Sequence, residues 1–171
     1  LFAVSPVFAW DEPVIDVIVM TVPLTPPPVT GSTFYVDKDS IGGVCNNSNA
    51  GTITSPWCTI QKAFSTLSGG QRAYVRAGTY TEGDLIPLVG GSAGAYVTIE
   101  EYPSEAVIID CTGHTWCFYG VTPTFPYVVV KGFEIKNPTQ QFLVCYGAQG
   151  CHHWWFVENT IHHNGTIYSG F

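Results

Sequence analysis

Two stretches of this chain, YVVVKGFEIKN from Tyr127 and HWWFVENTIHH from His153, superpose at an offset of 26 residues. The alignment sets Ile135 on Ile161 and places an Asn near the end of each copy. Both copies are rich in β-branched and aromatic residues, which favour strands. A repeat of this length built of strands without helices points to one coil of a β-solenoid. Such a coil cannot bury its apolar face alone, and stacking on the next coil hides it. The preceding residues fit the same scheme, as short strands broken by Gly, Pro and polar turns: AYVRAGTY, DLIPLV, AYVTIEEYP, AVIIDC and CFYG.

One segment departs from this pattern. Residues 56–68 read as a helix, with Ser55 as N-cap, Pro56 in the first turn, and Gly69 and Gly70 ending it. Ile60, Ala63, Phe64 and Leu67 then form a single apolar stripe. A solenoid exposes an open core and unpaired strand edges at each end. An amphipathic helix laid across the first coil would close one of them.

The first 32 residues form an apolar tail. Residues 1–9 read as the remnant of a secretory signal, with Val7 and Ala9 at the small-residue positions of a cleavage site. Residues 14–22 (VIDVIVMTV) are too short to span a membrane as a helix and read as a strand, followed by a semi-rigid Pro-rich linker. That strand needs a sheet edge. Its own body is the favoured one, and a neighbouring chain is the other. Residues 33–171 are then expected to form about four coils, the last incomplete. The chain stops where another coil would begin, so it is expected to be the N-terminal part of a longer protein.

Charged residues make up only 11% of the chain, and the net charge of −7 leaves no basic stripe for nucleic acid. Acidic sugars would be repelled over most of such a surface unless a divalent cation intervened. The six cysteines include no Cys-x-x-Cys, which argues against zinc and for disulfides in an oxidising compartment. Among the alternative connectivities the local ones are expected: Cys45 with Cys58, Cys111 with Cys117, and Cys145 with Cys151. Asn46 and Asn164 lie in glycosylation sequons.

The ordered motifs FYVDKDS, NAGTITSPWCTIQKAFSTLSGGQRAYVRAGTYTE and GAYVTIEEYPSEAVIID resemble the N-terminal cap and first coils of the right-handed parallel β-helix proteins, the pectate-lyase-like superfamily. The resemblance covers residues 33–164. It implies an all-β solenoid with one capping helix, secreted or held at the cell surface, and a carbohydrate-associated role in binding or cleaving polysaccharide. Superfamily membership alone does not fix an activity. A structural subunit of an extracellular filament is the alternative, using residues 14–22 and the open coil end.

For a lyase, the resemblance implies a Lys or Arg base with acidic calcium ligands beside it, since the uronate charge must be neutralised before C5 loses its proton. Lys131 and Lys136 are the candidate bases, and Glu134 shares parity with Lys136. Glu134 and Glu158, nearly one coil apart, could stack as a carboxylate pair for calcium. Ordinary outer-face charge is the reading these four residues favour, and no metal site follows from them. Adjacent residues of a regular strand point to opposite faces, so in such a strand neither His152–His153 nor His162–His163 could chelate through both rings, and turn or outer-face histidines are the favoured reading. Trp116, Tyr119, Trp154 and Trp155 are the candidates for stacking on sugar rings.

Overall fold

The computed structural model describes residues 25–120, 125–145, 151–163 and 165. The tail strand expected at residues 14–22, the signal remnant and Asn164 lie outside them. After β1 (Thr33–Val36) comes the helix α1 (Ile60–Phe64), and everything later is strand: β2 (Arg72–Val75), β3 (Gly78–Tyr80), β4 (Val97–Glu101), β5 (Val107–Asp110), β6 (Trp116–Gly120), β7 (Val128–Lys131), β8 (Glu134–Lys136), β9 (Gln141–Cys145), β10 (Trp154–Val157) and β11 (Thr160–His162).

These strands form three faces of a parallel β-solenoid. The first face has the order β1-β2-β4-β7-β10, the second β11-β8-β5-β3 and the third β6-β9. All eight strand pairs are parallel. Leu85, bridged to Phe118, extends the third face by one coil. Ile135 and Ile161 are register partners, as are Val128 and Trp154, so the 26-residue alignment holds residue by residue. The described residues make about three turns. The first coil's third face is reduced to the segment around Leu85, and β10–β11 has no third strand among the described residues.

Alternation along each strand fills the interior. Ala73, Ile99 and Val130 stack in one inward column, and Tyr80, Ile109 and Ile135 in another, all buried. Parallel strands in register set like side chains above one another, so a core position repeats up the stack. Among the described residues no strand stacks on the far side of β11, and Ile161 is 38% exposed.

The helix is shorter than the sequence predicts and begins later. Its N-cap is Thr59, whose hydroxyl accepts from the Lys62 N–H, rather than Ser55. Residues before it are extended because Trp57 pairs with β1, its N–H donating to Tyr35 and its carbonyl accepting from Asp37. The capping role stands: Ile60, Ala63, Phe64 and Leu67 are all fully buried in the core cluster. Glu82, from the coil beneath, accepts the N–H groups of Ile60 and Gln61, each at 2.9 Å. Burial pushes the Glu82 carboxyl up from the ordinary range even though these two donors pull it down. Gln61 in turn clips the helix to the third face, exchanging hydrogen bonds with the backbone of Ile86.

Between coils, polar side chains hold the corners. Glu105 takes a bidentate pair from Arg76 and also accepts the Ala77 N–H at 2.7 Å. The Arg76 guanidinium holds the Glu105 carboxyl below the usual carboxylate range. Asn159 bridges coils by accepting from Phe133 and donating to Val130, both at 2.9 Å. The three disulfides are Cys45–Cys58, Cys111–Cys117 and Cys145–Cys151, the local pairing.

Two outcomes are expected. Leu67→Asp places a charge in the capped end and should lower unfolding stability by about 3 kcal/mol in denaturant titration; an unchanged midpoint would mean that Leu67 does not seal the core. Because the folded carboxyl of Glu105 sits below its unfolded value of 4.5, its contribution is present above that pH and is lost as pH falls through the folded value. Glu105→Gln should therefore cost about 1–2 kcal/mol at neutral pH, and the difference from wild type should shrink as the pH is lowered below the unfolded value.

Candidate functional site

With the interior filled by apolar side chains, chemistry is confined to the outer faces. The sequence candidates divide among them. On the second face, Lys136 Nζ lies 3.1 Å from Glu134 Oε1, and His162 Nε2 reaches the same oxygen at 3.1 Å. Glu134 and Lys136 therefore do share a face, and these contacts, Lys136 first, hold the Glu134 carboxyl below its usual range. Asp110, register partner of Lys136, is lowered likewise, chiefly by the Thr112 hydroxyl and also by the Asn137 amide.

Lys131 belongs elsewhere. It ends β7 on the first face, and Gly132 at φ 88° turns the chain into β8. A side chain at this φ would be strained, and a Cβ there would also have to displace the Glu101 carboxylate, so the corner favours glycine. Lys131 pairs with Glu158 at 3.5 Å. The stacked pair of Glu134 and Glu158 does not form: Glu134 has Thr160 as its register partner, and Glu158 occupies the next coil's corner at φ 56°. The spacing between these two residues falls two short of the repeat, which moves Glu158 from strand to turn.

Both candidate bases thus lie against carboxylates, Lys136 donating to Glu134 at 3.1 Å and Lys131 ion-paired with Glu158 at 3.5 Å. A lysine engaged with a carboxylate is not set up to accept a proton. Nor do these carboxylates fit a calcium site. Asp110 and Glu134 are committed to neighbouring donors, and no group of three or more His, Cys, Asp or Glu that could hold a metal gathers among the described residues.

The second histidine of each pair has a turn-type backbone, in line with the turn or outer-face reading. The Nδ1 atoms of His152 and His153 lie 2.7 Å apart, and those of His162 and His163 also converge. His153 and His163 have left-handed backbones, φ 61° and 54°, which breaks the strand alternation that would have separated the rings.

The aromatic candidates separate by direction. Trp154 packs against the core and donates its indole N–H to Phe125. Trp155 shares a column with Val129, outside the core cluster, with its ring edge-on to Tyr96. Trp116 and Tyr119 lie on the third face, also outside the core cluster, with rings stacked at 4.8 Å and 8°. A second outer cluster escaped the sequence reading. Tyr35, Tyr74 and Tyr102 meet on the first face, but the guanidinium groups of Arg72 and Arg76 cover Tyr74 and Tyr102 at 4.6 Å.

A further polar pair also escaped notice. Asp84, beside Leu85, accepts the Trp116 N–H at Oδ1 and meets His114 Nδ1 at Oδ2, 3.1 Å away. Its signal in the sequence was slight, because Asp84 and His114 are 30 residues apart. Asn46 is exposed, its side-chain carbonyl accepting from Ser48. No helix among the described residues is long and apolar enough to cross a membrane.

Stacked parallel coils under a single helical cap define the class: this chain is a pectate-lyase-like parallel β-helix. Among known proteins it is 35% identical over 85 residues to pectate lyase PEL9 of Emericella nidulans, a stretch amounting to 49% of this chain and 20% of that protein. Among solved structures it is similar to a rhamnogalacturonan lyase at a TM-score of 0.49 and 22% identity, covering 68% of this chain and 30% of the other. No family model matches.

Proposed function

We propose that this chain is a secreted, carbohydrate-associated β-helix that holds a polysaccharide against its outer surface. The observation that carries the reading is the pectate-lyase-like β-helix itself, whose apolar interior leaves a ligand only the outer faces, where Trp116, Tyr119 and Trp155 lie outside the core cluster. Aromatic faces on a rigid sheet match the apolar faces of pyranose rings, and little side-chain entropy is lost on binding. The likeness to a pectate lyase supports an acidic polysaccharide as the ligand. Lys136 on the second face offers an ammonium that a uronate carboxylate would share with Glu134, on a chain of net charge −7. Three disulfides support an oxidising, extracellular setting.

Retardation of the protein in gels containing polygalacturonate, with and without calcium, tests binding. Trp116→Ala should weaken it about fivefold, equivalent to about 1 kcal/mol. An equal mobility in gels with and without polysaccharide, across acidic and neutral polymers, would remove the reading. Cleavage is measured separately, as appearance of unsaturated uronides. If this occurs and is lost in Lys136→Ala, Lys136 takes the role of base rather than of carboxylate clamp.

A second reading, an assembly subunit, rests on the far edge of β10. That edge has no strand partner among the described residues and borders a groove of about 590 Å³ lined by Trp154, Trp155, Phe156, Val157 and Glu158. Residues 14–22 of a neighbouring copy would supply the strand. Sedimentation of the chain with and without residues 1–24 tests it, and a monomer in both cases rules it out.

A further inference from the structure

Residues 37–59 form the loop between β1 and α1, at the capped end of the stack and opposite the end that carries β10 and β11. This loop holds Asn46, Asn47 and Asn49, and the structure uses them differently. Asn47 accepts the Cys58 N–H at 2.8 Å and donates its amide to the Thr59 hydroxyl at 3.0 Å, so it serves the helix cap. The Asn49 amide donates to the carbonyls of Val44 and Pro56. Asn46 has a fixed backbone and a free amide nitrogen. Its N–H donates to the Pro56 carbonyl, its carbonyl accepts from Asn49, and Cys45 beside it is bonded to Cys58. Its side-chain carbonyl accepts the Ser48 N–H at 2.8 Å, whereas Nδ2 has no hydrogen-bond partner among the described residues. Asn46, Asn47 and Ser48 are all exposed, and they make up an Asn-x-Ser sequon.

The surface of the same loop is unusually apolar. Val44 is 81% exposed and Ile41 54%, and Ile53 is exposed as well. Gly42 and Gly43 run so close to the Ile53 and Thr54 carbonyls that a Cβ would collide with them, which holds the three apolar residues in one region. Val44 is two residues from Asn46. A cluster of exposed aliphatic side chains is a liability in solution unless something hydrated covers it.

We propose that Asn46 carries an N-linked oligosaccharide that covers the Ile41, Val44 and Ile53 surface at the capped end of the solenoid. The donor is a polyprenyl-diphosphate oligosaccharide of a eukaryotic secretory lumen. Asn46 Nδ2 bonds to C1 of the reducing-end N-acetylhexosamine, the C1–O bond to the diphosphate breaks, and the polyprenyl diphosphate departs. Nδ2 gives up one proton to a base of the transferase. The product is bulky, hydrated and uncharged at the linkage, which suits the surface of this loop. The inference rests on the secreted half of the proposed function and is independent of polysaccharide binding.

The test uses the full chain, produced behind a leader in a eukaryotic secretion host, as wild type, Asn46→Gln, Ser48→Ala and Asn164→Gln. Intact mass is read before and after peptide N-glycosidase. Wild type and Asn164→Gln should lose the mass of an oligosaccharide, with deamidation of Asn46 on peptide mapping. Asn46→Gln and Ser48→Ala should lack that glycan, and in sedimentation both should self-associate at lower concentration than wild type. An Asn46 left unmodified in the secreted wild-type chain overturns the site. Modification at Asn46 with identical sedimentation of wild type and both unmodified variants overturns the covering role. A modified chain retained in no polysaccharide gel removes the binding reading and leaves this inference standing, and a retained chain with Asn46 unmodified does the reverse.

Discussion

Parallel, in-register pairing of each coil with the next is the constraint on which the rest of the molecule depends. A single coil leaves its backbone donors and acceptors unpaired on both edges and its apolar column open. Stacking satisfies both needs together, which is why Ala73, Ile99 and Val130 fall into one buried column. It also fixes where outward side chains can be. Trp116 has Gln141 as its register partner on the next coil, and Asp84 reaches Trp116 from the coil below.

The motif residues that make the chain resemble its superfamily prove to be structural. Asp37 is buried and caps a turn by accepting from Ile41 and Gly42. Gln61 ties the helix to Ile86, Glu82 caps that helix from the coil beneath, and Glu105 joins Arg76 across a corner. A signature composed of such residues identifies the fold with little ambiguity and leaves the activity open. The groups with chemistry to offer lie outside it, on the third face and along the Glu134–Lys136–His162 column.

Much of the architecture was legible because the solenoid repeats its own geometry. The 26-residue offset between Ile135 and Ile161 is a register pair, the local disulfides followed from cysteine spacing, and the apolar stripe of Ile60, Ala63, Phe64 and Leu67 marked the cap. The helix start was misplaced because the pairing of Trp57 with β1 overrides a local preference for helix after Pro56. The convergence of each histidine pair and the corner position of Glu158 were not legible for a different reason. Strand alternation ends at the corners, where His153, Glu158 and His163 take left-handed backbones.

By itself, then, the sequence determined the repeat, the alternation that selects the core, the cap and the cysteine pairing, since each depends on residues close together or on a fixed period. Only the tertiary structure decided which outward groups become neighbours. Whether Lys136 meets Glu134 and His162, whether Lys131 takes Glu158, and whether Asp84 finds His114 beside Trp116 depend on corner geometry and coil register. Those contacts link residues up to 30 positions apart, and no periodicity in the chain encodes them.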